Sequence, residues 1–255
     1  MTLALITPDW PLRDKVNAFT TTRTGGVSQP PYDNLNLALH VEDNRHDVLL
    51  NRQRLQETMS GDIQIKWLKQ VHGHQVVNAA NIEADIVEAD AAFTVENNIA
   101  CAVLTADCLP ILLSDKHAQC IAAVHAGWRG VINGVIQNTV DKMSEYASPE
   151  YAWLGPAIGP EVFEVGQDVY EAYMQHELSF SDCFKPKKVY EGNSANIKPG
   201  KWNLNIYQAA KVVLRAADIL DVFGGEYCTY SDIDQFFSFR RQARTGRMAT
   251  IISKR

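Results

Sequence analysis

Apolar residues in this chain occur both as continuous runs and at helical spacing, and the two patterns alternate irregularly. Runs that are apolar on both faces predict strands buried under helices at 111–114 and 120–124, and short β-like runs predict strands at 91–94 and 99–105. Shorter or alternating stretches predict further strands at 67–72, from Gln75 onward, and at 153–154, 236–240 and 248–252.

Helical spacing predicts helices over 47–59, 131–143, 166–174 and 203–219, with a helix start near Gly127. The segment 20–39 is rich in Gly, Pro, Ser and Asn and predicts an irregular loop. The polar segment 185–202 predicts a surface loop.

These elements do not follow a regular βαβ alternation. The pattern favours an α/β (α+β) sandwich with mixed sheets and flanking helices over a Rossmann fold or a barrel. We find no repeat, low-complexity segment or clear linker, so we expect one domain over residues 1–255.

Composition mainly excludes classes of protein. The 255 residues are 46% hydrophobic and 21% charged with a formal net charge of -6, so the chain lacks the basic character of a general nucleic-acid binder. We see no signal peptide, and the most apolar stretch, 99–113, is interrupted by Asp107 and Pro110 and is too short to span a bilayer. We expect a cytoplasmic monomer or homodimer with no nucleic-acid or membrane partner.

The five cysteines are odd in number and irregularly spaced, which argues against a disulfide framework. Cys101 and Cys120 lie in apolar runs and are interpreted as small core residues. Cys183 and Cys228 lie near aromatic residues and could be structural or functional. Only Cys108 lies beside other candidate site residues.

Three segments place a candidate metal ligand where an apolar run meets a loop. They are 70–73 with His72, 105–110 with Cys108 and 124–130 with His125. Two imidazoles and one thiolate suit zinc or copper, and catalytic zinc sites commonly leave a fourth position open. The spacings do not match zinc-finger pairs, so the hypothesis rests on residue types, and purely structural roles stay open.

Cys108 could instead be a nucleophile, with His125 or His72 as its base. Asp107 is a neighbouring carboxylate, but adjacent side chains in a strand point to opposite faces, which argues against cooperation between Asp107 and Cys108. The sequence has no Walker-type phosphate loop, no Gly-x-Ser-x-Gly elbow and no His-Glu-x-x-His pair.

Arginines and the remaining histidines are the other candidates for substrate contact. Arg129, beside His125 at a predicted helix start, is the first candidate for binding an anion. Arg52 on the first predicted helix and Arg23 in the irregular loop are further candidates for substrate binding. His40 could line a pocket. The other cations are interpreted as surface groups: His46, His74, His117, His176, Arg240, Arg241, Arg244 and Arg247.

Taken together, the ordered segments resemble the YfiH-like family, also called the laccase-domain or multicopper polyphenol oxidase family. The resemblance covers almost the whole chain. Its segments are 22–28, 31–37, 70–73, 89–91, 105–110, 123–130, 154–159 and 245–247.

This resemblance implies that His72, Cys108 and His125 bind one transition metal, with zinc favoured over copper. It also implies an α/β sandwich related to cysteine-hydrolase-like toxins. The implied activity is that of a purine nucleoside phosphorylase acting on adenosine, inosine, guanosine and methylthioadenosine, together with adenosine deamination. Peptidoglycan editing and laccase-like phenol oxidation are the alternatives.

Chemistry helps to rank these activities. A multicopper oxidase needs several copper centres, whereas this chain has only seven histidines. A single His2Cys site suits Lewis-acid chemistry better. Deamination also needs a carboxylate that carries a proton, for which Asp90 and Asp107 are candidates. Phosphorolysis needs an anion site, for which Arg129 is the candidate. We therefore expect a metal-dependent enzyme whose partners are a nucleoside and phosphate.

Overall fold

Fourteen β-strands and five α-helices form the part of the chain that the computed structural model describes, residues 3–84, 86–191 and 194–255. The strands are β1 (Leu5–Ile6), β2 (Val16–Thr21), β3 (Gln64–Lys66), β4 (Val76–Asn78), β5 (Ala91–Thr94), β6 (Ile99–Thr105), β7 (Leu109–Ser114), β8 (Ile121–Ala126), β9 (Tyr151–Leu154), β10 (Glu164–Gly166), β11 (Phe184–Glu191), β12 (Ser194–Leu204), β13 (Asp221–Gly224) and β14 (Met248–Lys254). The helices are α1 (Arg45–Gln56), α2 (Trp128–Ile132), α3 (Val135–Ser144), α4 (Gln167–Met174) and α5 (Ile206–Ala216).

Most of the strands belong to two mixed sheets. One has five strands in the order β1-β2-β14-β6-β3, and the other has six in the order β13-β9-β7-β8-β5-β4. Neighbours are mainly antiparallel, but β3 and β6, β4 and β5, and β9 and β13 pair in parallel. The predicted mixed-sheet α/β (α+β) fold is confirmed. A smaller antiparallel sheet contains β10, β12 and β11.

The two large sheets pack face to face. Their shared core contains Val103 and Ile252 from the five-stranded sheet and Leu112 and Trp153 from the six-stranded sheet. Apolar side chains of α3 and α5 cover the outer face of the six-stranded sheet, and α1 with the loop before it covers the outer face of the five-stranded sheet. Because both sheets are covered on both faces, every residue of β6, β7 and β8 is buried, which confirms the prediction for the runs at 111–114 and 120–124.

The helices agree with the spacing of apolar residues, with one interruption. The predicted helix over 131–143 is divided into α2 and α3, because Gly134 has a φ of 91°. This left-handed backbone is accessible to glycine at little cost and ends the helical repeat.

The strand predicted at 67–72 is wrong beyond a single bridge between Lys69 and Glu88. The side-chain amide of Gln70 takes the place of backbone pairing: its Nε2 donates to the Leu104 carbonyl at 2.8 Å, and its Oε1 accepts from the Leu104 amide at 2.7 Å. The alternation in the sequence arises because Trp67 and Leu68 enter the cores on opposite sides of the five-stranded sheet.

The strand predicted at 236–240 is also wrong, since this segment consists of turns and irregular backbone. A side chain joins the start of this segment to the loop at 229–230 in place of strand pairing. The Arg241 guanidinium donates to the carbonyls of Thr229, Tyr230 and Phe236 at 2.6–2.7 Å.

The surface loop predicted at 185–202 is wrong for most of its length, because β11 and β12 pair as an antiparallel hairpin. Gly192 and Asn193 lie outside the described residues. Polar residues occupy both strands, so no apolar alternation marked them. The hairpin is attached by Trp202, whose ring stacks on Tyr170 at a centroid distance of 3.9 Å.

None of the helices described is long and apolar enough to cross a membrane.

Candidate metal centre and adjoining cavity

His72, Cys108 and His125 come together as the sequence predicted. One ligand atom from each lies within 4.8 Å of the others. The two imidazole rings meet edge to face, with centroids 4.8 Å apart and an interplanar angle of 81°. Cys108 is half-buried and His72 exposed, whereas His125 is only 3% exposed. In the part of the chain that the structure describes, this is the one group of three such side chains able to hold a metal ion.

Topology explains why these residues meet. Among the strands described, the chain passes twice from the five-stranded to the six-stranded sheet, between β3 and β4 and between β6 and β7. His72 lies in the first connection and Cys108 in the second, while His125 is the penultimate residue of β8. The sharp turns of the two connections place His72 at a φ of 59° and Asp107 at a φ of 101°.

Gly127 makes room for the cluster. A Cβ atom at this position would lie 3.2 Å from Sγ of Cys108 and 3.5 Å from Cδ2 of His72. The sequence therefore uses a residue without a side chain where α2 begins beside the ligands.

Asp90 connects the two histidines. Its buried carboxylate accepts hydrogen bonds from Nδ1 of His125 at 2.8 Å, from the amide of His72 at 2.9 Å and from the amide of Gly73 at 2.6 Å. The Asp90 carbonyl also accepts from the His125 amide at 2.7 Å. Burial alone would raise the pKa of the Asp90 carboxyl, but these partners outweigh burial and lower it. With Nδ1 occupied, Nε2 is the ring nitrogen of His125 that remains for a metal.

The electrostatics of the ligands favour a thiolate beside an imidazolium when no metal is bound. Burial opposes ionisation of Cys108, but the charge and hydrogen bonds of His125, followed by those of His72, lower its thiol pKa. Burial likewise disfavours protonated His125, but Cys108 and Asp90 raise its pKa. A deprotonated thiol is the form that binds a metal or attacks an electrophile.

This donor set fits a transition metal. Two imidazole nitrogens and a thiolate match the ligand classes of three-residue zinc sites, and a carboxylate–histidine pair is the usual outer support of such sites. Copper accepts the same donors.

A cavity of about 420 Å³ adjoins the cluster. Its volume lies in the range typical of small-molecule sites. Its wall combines apolar and aromatic residues with residues able to carry positive charge and with Asp107, and three of the arginines lie over aromatic rings of the same wall. The apolar and aromatic residues are Leu104, Ala106, Trp128, Ile158, Phe163, Ile206 and Phe239, and the residues able to carry positive charge beyond the cluster are His40, Arg129, Arg240 and Arg247.

Of the three predicted substrate-binding arginines, the structure places only Arg129 in the cavity wall. Arg129 is exposed, and its guanidinium lies 4.2 Å from the centroid of the Trp128 ring. Arg52 lies over Trp67 and donates from Nε to the Leu37 carbonyl at 2.8 Å.

Arg23 is held away from the cavity lining by its neighbours. It donates to the carbonyls of Asp33 and Ile233 and contacts the Asp33 carboxylate. His40 does line the cavity, as its sequence context suggested. His46, His74, His117 and His176 are absent from the lining.

The two carboxylates considered for proton transfer are both occupied. Asp90 holds the histidines, as described above. Asp107 accepts from the Thr229 hydroxyl at 2.7 Å and from the Arg240 amide at 2.6 Å. Asp107 therefore attaches the C-terminal segment to the turn that carries Cys108.

Sequence reasoning missed three residues at the site: Gln70, Arg240 and Arg247. Gln70 fixes the loop that leads to His72, and the arginines belong to a segment interpreted as surface. Local sequence does not separate Arg240 and Arg247 from neighbouring Arg241 and Arg244, because their placement depends on contacts with Asp107 and Asn36 far along the chain.

The fold and the site together define a class of α/β sandwich proteins. In this class, one His2Cys cluster lies where the chain crosses from one sheet to the other. Residues 17–255 match the family model described as multi-copper polyphenol oxidoreductase laccase, and the chain belongs to this family.

Several relatives are similar over their whole length. A Pseudomonas aeruginosa protein named purine nucleoside phosphorylase is 43% identical, with 98% of each chain covered. The Escherichia coli K12 protein named purine nucleoside phosphorylase YfiH is 42% identical, with 97% of this chain and 98% of that one covered.

Solved structures agree with the fold. A crystal structure of a Neisseria meningitidis protein is similar with a TM-score of 0.89 and 40% identity, covering 98% of each chain. The structure of YlmD from Geobacillus stearothermophilus has a TM-score of 0.84 and 31% identity, covering 96% of this chain and 94% of that one.

Proposed function

We propose that this protein is a metal-dependent purine nucleoside phosphorylase acting on adenosine, inosine, guanosine and methylthioadenosine, and that it also deaminates adenosine. The observation that carries the proposal is the cavity, which joins the His72–Cys108–His125 cluster to an apolar wall and to several arginines. The names of the relatives support the phosphorylase activity.

The cavity wall suits the parts of the proposed substrates. A purine is flat and largely apolar on its faces, which matches the aromatic and aliphatic side chains such as Phe163 and Ile158. Phosphate is an anion that guanidinium groups bind with two parallel hydrogen bonds, and Arg129 supplies such a group at the wall.

Phosphorolysis forms a bond between a phosphate oxygen and C1′ of the ribose while the bond from C1′ to the purine nitrogen breaks. The base leaves with the bonding pair and takes a proton, so the products are ribose 1-phosphate and the free purine. Deamination instead adds water to the purine carbon that bears the amino group and releases ammonia.

His72, Cys108 and His125 would hold the metal, with zinc favoured over copper. When bound, such an ion supplies Lewis acidity to an oxygen or nitrogen of the substrate. Asp90 keeps His125 in the tautomer that presents Nε2 to the cluster. The apolar wall orients the base and excludes water, and Arg129 contacts the anionic or ribose end of the substrates.

The test is turnover by protein of known metal content. Adenosine is incubated with and without inorganic phosphate, and the products are separated by chromatography. We expect adenine only when phosphate is present, and inosine in either case. His72→Ala should lose both products, whereas His74→Ala, which changes an exposed histidine two residues away, should retain them. Adenosine left intact by fully metallated protein would contradict the proposal.

A second function is favoured by one observation, the chain of contacts from Cys108 through His125 to Asp90. This order of thiol, imidazole and carboxylate matches the nucleophile, base and orienting group of cysteine hydrolases. An amide hydrolase acting on peptidoglycan fragments would use it. Such an enzyme would keep its activity after chelation, whereas the phosphorylase would lose its activity, so one chelation experiment separates the two.

A further inference from the structure

Two arginines from the C-terminal segment, Arg240 and Arg247, line the same cavity as the candidate metal ligands. Each guanidinium is held against an aromatic ring. Arg240 lies 5.4 Å from the centroid of Phe163, and Arg247 lies 5.7 Å from that of Phe239. The rings restrict the orientation of the guanidinium planes, and this restriction lowers the entropy that is lost when a ligand binds.

Neither guanidinium has an acidic partner within 4.0 Å in the described part of the chain. Their hydrogen bonds use Nη1 alone: that of Arg240 donates to the Glu164 carbonyl at 2.9 Å, and that of Arg247 donates to the carbonyls of Thr245 and Gly246 at 2.8 and 3.0 Å. Nε and Nη2 of both residues therefore remain as donors.

The nearby Arg241 has a structural role and serves as a comparison for Arg240 and Arg247. It donates three hydrogen bonds of 2.6–2.7 Å to backbone carbonyls, and it is absent from the cavity lining. In contrast, Arg240 and Arg247 line a cavity and each has N–H donors that make no hydrogen bond within the described part of the protein. Such donors can bind the acceptor oxygens of a ligand.

The charge and the free donors of the two guanidinium groups suit an anion. Arg247 is half-buried and Arg240 is exposed. Burial lowers the pKa of Arg247, opposed by the charges of Cys108 and then Asp107. The Asp107 carboxylate accepts its hydrogen bonds from the Thr229 hydroxyl and the Arg240 amide and not from a guanidinium. The Nε and Nη2 donors therefore remain for an anion with several acceptor oxygens.

Arg129 is the weaker candidate for the same role. Like Arg240 it is exposed, but its guanidinium makes no hydrogen bond in the described part of the chain that would fix its position, and the helix that begins beside it, α2, has only five residues. The expected contribution of a helix N-terminus to anion binding is therefore small at this position.

We propose that Arg240 and Arg247 form the subsite of the cavity that binds inorganic phosphate, beside the His72–Cys108–His125 cluster. This inference rests on the proposed phosphorolysis and identifies where its second substrate binds. Asp107 acts as a positioning residue, because it fixes the backbone of Arg240 to the turn that precedes Cys108. The base would then contact apolar lining residues such as Ile158 and Ile206.

The test measures binding of inorganic phosphate to the metal-loaded full chain by calorimetry, with and without adenine. The variants are Arg240→Gln, Arg247→Gln and Arg247→Lys, with Arg244→Gln as the matched control because Arg244 is exposed and outside the lining. We expect each Gln variant to weaken phosphate binding by about 10- to 100-fold, because each loses a charge-assisted pair of hydrogen bonds. Arg247→Lys should lie between Arg247→Gln and the wild type, and Arg244→Gln should equal the wild type.

Metal content and thermal unfolding of each variant show whether it is folded, and the Lys variant keeps the test open if Arg247→Gln fails to fold. If both Gln variants bind phosphate like the wild type, or the wild type binds none under either condition, the proposal is overturned. If phosphate binding depends on these arginines but no purine nucleoside is converted, the subsite stands and the phosphorylase proposal fails. If turnover occurs, the variants should raise KM for phosphate and leave KM for the nucleoside within about 3-fold.

Discussion

Asp90 is the residue on which both histidines depend, because one buried carboxylate holds the His125 ring and the backbone at His72. Its four polar contacts leave it no freedom to carry protons to a substrate. Its role is therefore to fix the ligand geometry before a metal arrives.

We expect Asp90→Asn to lower metal affinity by about 10- to 100-fold, because an amide cannot accept from both His125 and the loop amides in the same way. A competition titration against a chromophoric chelator would measure this. Glu88→Gln is the matched control, since Glu88 forms only an exposed ion pair with Lys69, which contributes little. Unchanged affinity in Asp90→Asn would show that the carboxylate is not needed for the ligand geometry.

His72, Cys108 and His125 could be singled out from the sequence because each follows or ends an apolar run, but residue types alone left structural roles open. Their assignment as metal ligands rests on the family resemblance and stays a prediction. The same reasoning could not identify Arg240 and Arg247. Their side chains reach the cavity through contacts that join positions more than one hundred residues apart, such as Asp107 with the Arg240 amide. A single sequence carries no local sign of such contacts.

At the scale of the elements, the loop before His72 is attached to β6 by the side-chain amide of Gln70, which makes the two hydrogen bonds that a neighbouring strand would make. We expect Gln70→Ala to lower the free energy of unfolding by about 1–2 kcal/mol, because it leaves the Leu104 amide and carbonyl without this partner. It should also weaken metal binding, since His72 is two residues away. Urea denaturation and metal titration check the two effects. Gln75→Ala, at an exposed position, should show neither effect.

The junction of α2 and α3 allows a prediction that concerns stability alone. Gly134→Ala places a Cβ atom on a backbone with a φ of 91°, and we expect a loss of about 1–2 kcal/mol in the free energy of unfolding. Asn133→Ala, at the preceding residue with a φ of -86°, should change stability by no more than about 0.5 kcal/mol. Equal urea midpoints for the two variants would contradict this account of the helix break.

Elements buried on both faces were predictable and irregular ones were not. The runs that became β7 and β8 are short and bounded by turn residues, which favours strands covered on both faces over a buried helix. The stretches 67–72 and 236–240 also resemble strands in sequence, but side chains replace strand pairing there: Gln70 bonds the backbone of Leu104, and Arg241 donates to the Phe236 carbonyl. The pattern of apolar and polar residues does not show which group donates a hydrogen bond to a given backbone carbonyl.

For the whole molecule, the cores lie apart from the candidate metal centre. The main apolar clusters form without the three candidate ligands, although they include Leu109 and Ala126 beside two of them, and we infer that the fold can form without the metal. We expect chelated protein to keep its far-UV circular dichroism and a cooperative transition while losing turnover. Its melting temperature should rise with free metal concentration, as binding linkage requires. Collapse of the dichroism on chelation would instead indicate that metal binding and folding are coupled.

His72 and Cys108 lie in the connections from β3 to β4 and from β6 to β7. The geometry of the centre therefore depends on the relative position of the two large sheets. Two ligands belong to crossings between the sheets, and the third belongs to β8 of the six-stranded sheet alone. A small sliding of one sheet over the other would change the ligand separations without altering any ligand. We therefore expect the geometry of the proposed metal site to respond to changes in the distant interior, at positions such as Leu112 and Trp153, as well as to changes at the site itself.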